Sequence, residues 1–141
     1  MTTWSPIKNT EVDVTIDTNM RIHIVDDYTT MLRILRNILR QIDLIHVEES
    51  TNGQHAFDKM VQVPPDLVIS DWNMEPMTGL DLLRKVRMHD KLRRIPFIMV
   101  TAESKTENVI AAKQAGVSNY IVKPFNAETL RAKILSVMGA R

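Results

Sequence analysis

Residues 20–42 read MRIHIVDDYTTMLRILRNILRQI, and the class of fold is decided inside that stretch. Ile22, Ile24 and Val25 make a short apolar run of β type that halts at Asp26-Asp27. The period then changes. Met31, Leu32, Ile34, Leu35, Ile38, Leu39 and Ile42 recur at helical spacing, with Arg33, Arg36 and Arg40 on the other face. The same exchange repeats down the chain. Leu44 to Val47 predicts a second strand and His55 to Val61 a helix, which Pro64-Pro65 stops. Leu67-Val68-Ile69 predicts a third strand, and Gly79 opens a helix with Leu80, Leu82, Leu83 and Val86 inward. Phe97 to Val100 is the fourth strand. The helix after it, Val109 to Ala115, closes at Gly116, a residue suited to the left-handed position past a helix end. Tyr120 to Val122 is the last strand, and Asn126 is placed to cap a final helix carrying Leu130, Ile134, Leu135 and Met138.

Five short apolar strands alternating with five amphipathic helices define an α/β fold, a doubly wound parallel sheet covered on both faces. In such sheets ligands bind beyond the carboxyl ends of the strands, where the strand order reverses. Those ends carry Asp26-Asp27, then Asp71, then Thr101, then Lys123. Strand two leads into Glu48-Glu49, which the expected order leaves at the sheet edge. Three carboxylates, a hydroxyl and an ammonium are therefore expected to meet in one crevice. Close carboxylates repel one another, and a divalent cation relieves that repulsion. Mg²⁺ suits the donors, because it takes hard oxygen ligands and is usually held by one or two carboxylates plus phosphate. One carboxylate can attack phosphorus to give an aspartyl phosphate, with Lys123 neutralising phosphoryl oxygens and Thr101 donating to one of them. Singly, each residue has a plainer reading: paired acids after a strand often just start a helix. Four strand ends supplying complementary groups are hard to reach by accident.

Composition narrows the field. The 141 residues suit one domain with its own core, and 44% hydrophobic with 25% charged residues are globular values. A net charge of +1 gives no global field toward nucleic acid or an anionic membrane. With no cysteine, disulfides, thiolate metal sites and thiol nucleophiles are excluded. There is no apolar run of membrane-spanning length and no signal-peptide pattern, so a cytoplasmic protein is expected. Residues 1–19 are expected to form a flexible extension, and residues 20–141 the domain proper.

Residues 20–141 resemble the response-regulator receiver domain, and within that family the CheY-like chemotaxis group. The resemblance rests on IVDD (24–27), VISDWNM (68–74), MVTAE (99–103), AAKQAGVS (111–118) and YIVKPF (120–125). It implies the flavodoxin-like strand order 2-1-3-4-5, with Asp71 as the phosphoacceptor. It implies Mg²⁺ bound by Asp27, Asp71 and the backbone carbonyl of Asn73, with Asp26 acting through water. Lys123 would bridge to the phosphoryl group across a cis Lys123-Pro124 bond. Thr101 and Tyr120 would be the switch residues, repacking the face formed by helix four, strand five and helix five. Asn73 and Glu103 would tune the phosphoryl lifetime, here toward fast loss. The implied partners are a histidine kinase of chemotaxis type and a downstream protein such as a flagellar motor switch component. The expected protein is a monomeric signalling switch without an attached DNA-binding domain, not a conventional enzyme. One departure from the family pattern is the order Glu75-Pro76, where proline usually follows the methionine directly.

Other functional classes make different demands on these residues. A phosphohydrolase of aspartyl-phosphate type normally wants an acid two positions past its nucleophile, and here that position is Asn73. A phosphate sink in another pathway fits the same site. A nucleotide-responsive adaptor would use the basic cluster Arg84, Lys85, Arg87, Lys91, Arg93 and Arg94, which reads more simply as a solvated surface. His23, His46, His55 and His89 show no metal-ligand spacing. Trp72, next to Asp71, is expected to be partly exposed.

Overall fold

The computed structural model describes residues 16–102 and 106–138. Strands and helices alternate as β1 (Ile22–Val25), α1 (Thr29–Gln41), β2 (Val47–Ser50), α2 (Gly53–Gln62), β3 (Leu67–Asp71), α3 (Gly79–Met88), β4 (Phe97–Thr101), α4 (Thr106–Gln114), β5 (Asn119–Val122) and α5 (Ala127–Met138). All neighbouring strands are parallel, in the order β2-β1-β3-β4-β5. The expected fold and order are the observed ones.

Alternation along the strands splits the core in two. Ile22, Ile24, Leu67, Ile69, Ile98 and Val100 pack on one face against Leu32, Leu35 and Leu39 of α1 and Leu130 and Ile134 of α5. Val25, Val68, Phe97 and Met99 face the other way, against Ala56 and Met60 of α2 and Leu82, Leu83 and Val86 of α3. Every residue of β1, β3 and β4 is buried, as a parallel sheet covered on both faces requires. Ile16 also reaches the first core and is buried with Met20.

Strand two departs from expectation. It spans Val47–Ser50, not Leu44 to Val47, and so runs through Glu48-Glu49. Leu44 belongs to the end of α1 instead. Its amide donates to the Leu39 carbonyl and that of Asp43 to Arg40, with Asp43 left-handed at φ 64°. That is a Schellman termination in which aspartate takes the position glycine usually holds, and it buries Leu44 near Leu39. Gly116 ends α4 in the same manner at φ 91°, as predicted, with Val117 donating to Ala112 and Gly116 to Lys113. Asn126 caps α5 through the Thr129 amide, also as predicted.

The basic cluster is not uniformly solvated. Arg84, Lys91, Arg93 and Arg94 are exposed, but Arg87 is half-buried. Its guanidinium donates to the carbonyls of Gly116, Arg93 and Ile95 and to Ser118 Oγ, and burial lowers its pKa. Lys85 lies over the Phe57 ring at 4.6 Å and donates to Gln54. Both cations are structural fasteners between elements.

Candidate functional site

Strand order reverses between β1 and β3, so Asp26-Asp27 and Asp71 end two adjacent strands at the switch point. One oxygen each from Asp26, Asp27 and Asp71 lie within 4.8 Å of one another. Asp26 and Asp71 are buried, while Asp27 is exposed. Lys123 follows β5, and its half-buried side chain crosses the crevice to put Nζ 2.8 Å from Asp71 Oδ1 and 4.0 Å from Asp26 Oδ2. Residues from three separate strands therefore meet, as the sequence predicted.

The electrostatics follow from geometry. Burial pushes the Asp26 carboxyl up to about 6. The Tyr28 amide donating to Asp26 Oδ1 at 2.9 Å works against that rise. Asp71 and Asp27 add to it, and Lys123 opposes it. Three ionised carboxylates in so small a space, with one ammonium beside them, leave two negative charges uncompensated. The donor set is all oxygen, which fits a hard divalent cation of the Mg²⁺ kind.

The loop after Asp71 is held from below. The Trp72 amide donates to the Val100 carbonyl, and the Gly79 amide donates to the Trp72 carbonyl. Ser70 Oγ donates to the Asp71 carbonyl at 3.0 Å. A Cβ on Gly79 would stand 2.2 Å from that carbonyl oxygen and 2.8 Å from Met99 Sδ. Only glycine lets α3 begin so close to the loop. Thr78 and Asp81 complete a capping box at the same turn. This support was missed from sequence, although T-x-x-D before an apolar run (Thr78 to Asp81) was its readable signal. Glu75-Pro76 and Lys123-Pro124 are both cis, the second as the resemblance implied.

Thr101 is buried at the end of β4, and its carbonyl accepts from the Lys123 amide. Tyr120 is half-buried, beside Trp72, Met99 and Thr101, with Lys133 over its ring at 5.3 Å. Trp72 is half-buried, in keeping with expectation, and Asn73 is exposed. Glu103 lies outside the described residues. His23 is buried, with Nε2 2.7 Å from Ser50 Oγ.

An acid trio at the switch point of a five-stranded parallel sheet, faced by a lysine from the last strand, is the arrangement of a receiver domain. The response regulator receiver domain family matches residues 22–135, and the chain belongs to that family. Within it the chain is a CheY-like response regulator. It is 43% identical over 123 residues to the chemotaxis protein CheY-3 of Vibrio cholerae, covering 87% of this chain and 95% of that protein. It is 46% identical over 115 residues to the chemotaxis protein CheY of Pseudomonas aeruginosa, covering 82% and 93%. The solved structure of Vibrio cholerae CheY4 superposes with a TM-score of 0.79 at 31% identity, covering 84% of this chain and 98% of that one. Among the described residues, no helix is long and apolar enough to cross a membrane.

Proposed function

We propose that this protein is a phosphorylation switch in which Asp71 accepts a phosphoryl group from a histidine kinase. The observation that carries the proposal is the Asp71 carboxylate held at 2.8 Å by Lys123 with two further acids within 4.8 Å. An Asp71 oxygen attacks phosphorus as the phosphorus–nitrogen bond of the donor histidine breaks, and the imidazole leaves with the bonding pair. Asp27, Asp71 and the Asn73 carbonyl are the proposed Mg²⁺ ligands, with Asp26 acting through water. When bound, the metal supplies positive charge to the transferring phosphoryl oxygens. Lys123 exchanges its contact with Asp71 for one with the phosphoryl group, so its charge is already positioned when transfer begins. Thr101 donates to a phosphoryl oxygen and Tyr120 turns inward, which biases the α4–β5–α5 face between two pre-existing arrangements. Asn73 and Glu103 set how quickly the acyl phosphate hydrolyses.

The names of the relatives support a role in chemotaxis; a chemotaxis-type kinase upstream and a flagellar motor switch component downstream are the partners proposed with it. Intact mass after incubation with Mg²⁺ and acetyl phosphate tests the switch. One added phosphoryl group is expected in the wild type and none in Asp71→Asn or after chelation. Equal phosphorylation of the Asp71→Asn variant refutes it.

A further inference from the structure

A second concave feature lies at the opposite pole of the sheet, where β1 and β2 begin and α2 ends. It is a groove of about 550 Å³. Ligand pockets commonly span roughly 300–1,000 Å³, mostly apolar with a few convergent polar groups. Ile45, Val47 and Val63 form its apolar wall, and Ile45 and Val63 are 61% and 54% exposed, unusually bare for aliphatic side chains. Arg21 and Lys59 also line it, together with one acid, Glu48, while the Asp66 carboxylate accepts from the Arg21 amide. Among the described residues, the Lys59 ammonium has only a long 3.4 Å hydrogen bond, to the Glu49 carbonyl, which leaves its charge without a carboxylate partner there.

We propose that this groove binds a small organic anion, its carboxylate held by Lys59 and Arg21 and its apolar body laid against Ile45 and Val63. A second observation points the same way. His23 lines the groove yet is 3% exposed, and its Nε2 is taken by Ser50 Oγ. Among the described residues its Nδ1 has no partner, which leaves a buried polar atom for a ligand to satisfy. A neutral imidazole beside two cations adds hydrogen-bonding capacity without adding charge. Burial and the nearby Lys59 lower the His23 pKa to about 4, so it stays neutral near pH 7. A carboxylate without an apolar body would leave the aliphatic wall uncovered, and an apolar body without a carboxylate would leave the cations unanswered. The site stands at the amino ends of the strands and is independent of the Asp71 chemistry.

The test is a titration of the ¹⁵N-labelled full chain with benzoate, followed by amide shifts. Saturable shifts at Ile22, Val47, Lys59 and Val63 are expected, with acetate and benzyl alcohol each at least about tenfold weaker. Lys59→Gln is expected to weaken benzoate by about tenfold or more, and Val63→Asp, at an exposed position, to abolish the shifts while the remaining spectrum is unchanged. The proposal is overturned by non-saturating benzoate shifts, by equal binding of benzyl alcohol, or by a Lys59→Gln variant that binds as the wild type does.

Discussion

Two titratable side chains three residues apart, His23 within β1 and Asp26 just past its end, are each 3% exposed. Burial acts on both in the same sense, against the charged form, and is the largest cause of a His23 pKa lowered to about 4 and an Asp26 pKa raised to about 6. The difference lies in what surrounds them. His23 meets a serine hydroxyl 2.7 Å away, a neutral partner for its Nε2. Asp26 meets two more carboxylates and an ammonium delivered from β5. A buried ionisable residue is thus not by itself a reactive site. Unlike groups from separate strands, left with unbalanced charge at a strand end, make one.

The largest expected effect breaks the Asp26 side of this contrast. Lys123→Ala removes the ammonium facing Asp71 and is expected to slow phosphotransfer from a small phosphodonor about a hundredfold or more, measured by the rate of phosphoprotein formation. A near-wild-type rate would show that the contact is only structural.

The His23 side is tested by pH. Its folded pKa lies below the ordinary 6.5, so the unfolded chain binds the extra proton and stability is lost as pH falls from about 6.5 toward 4. The full loss is at most about 3 kcal/mol. Asp26 acts oppositely: its raised folded pKa makes stability fall as pH rises from 3.8 toward about 6. Urea melts across that window are expected to show partial cancellation. Replacing the pair together, His23→Leu with Ser50→Ala, should remove the acid-side loss and expose the Asp26 slope. An unchanged pH profile in the double variant would contradict the assignment.

Gly79→Ala probes the loop that carries Asp71. Its Cβ would fall 2.2 Å from the Asp71 carbonyl, so a cost of about 2 kcal/mol in thermal unfolding is expected, with weakened Mg²⁺ binding by Trp72 fluorescence. The smallest effect is expected from Asp26→Asn. The Asn side-chain oxygen can still accept from the Tyr28 amide while one negative charge leaves the trio, so the metal-free fold should gain on the order of 1 kcal/mol above pH 6. Loss of stability in that variant would mean that the three acids do not repel.

Most of the architecture was readable because strand and helix periods differ and β1, β3 and β4 are short, mostly apolar, fully buried runs. The site was readable for the same reason: once strands are assigned, parallel topology brings their ends together. What escaped reading depends on contacts between distant positions. The start of β2 was misplaced because Leu44 is apolar yet serves the α1 termination through Asp43, a residue whose type does not demand a left-handed backbone. The Arg87 fastener joins acceptors up to 31 positions away, and the His23–Ser50 pair spans 27. No local pattern announces either. Gly79 was seen as a helix start, but its closeness to the Asp71 carbonyl exists only in three dimensions.

The central claim is that Asp71, among the three clustered acids, is the residue that receives phosphorus. Borohydride trapping after incubation with Mg²⁺ and acetyl phosphate reads this directly, since reduction of an acyl phosphate converts aspartate to homoserine. Peptide mass mapping is predicted to find homoserine at position 71 alone. Homoserine at position 26 or 27 instead, or at none of the three in protein that had gained a phosphoryl group, would contradict the account.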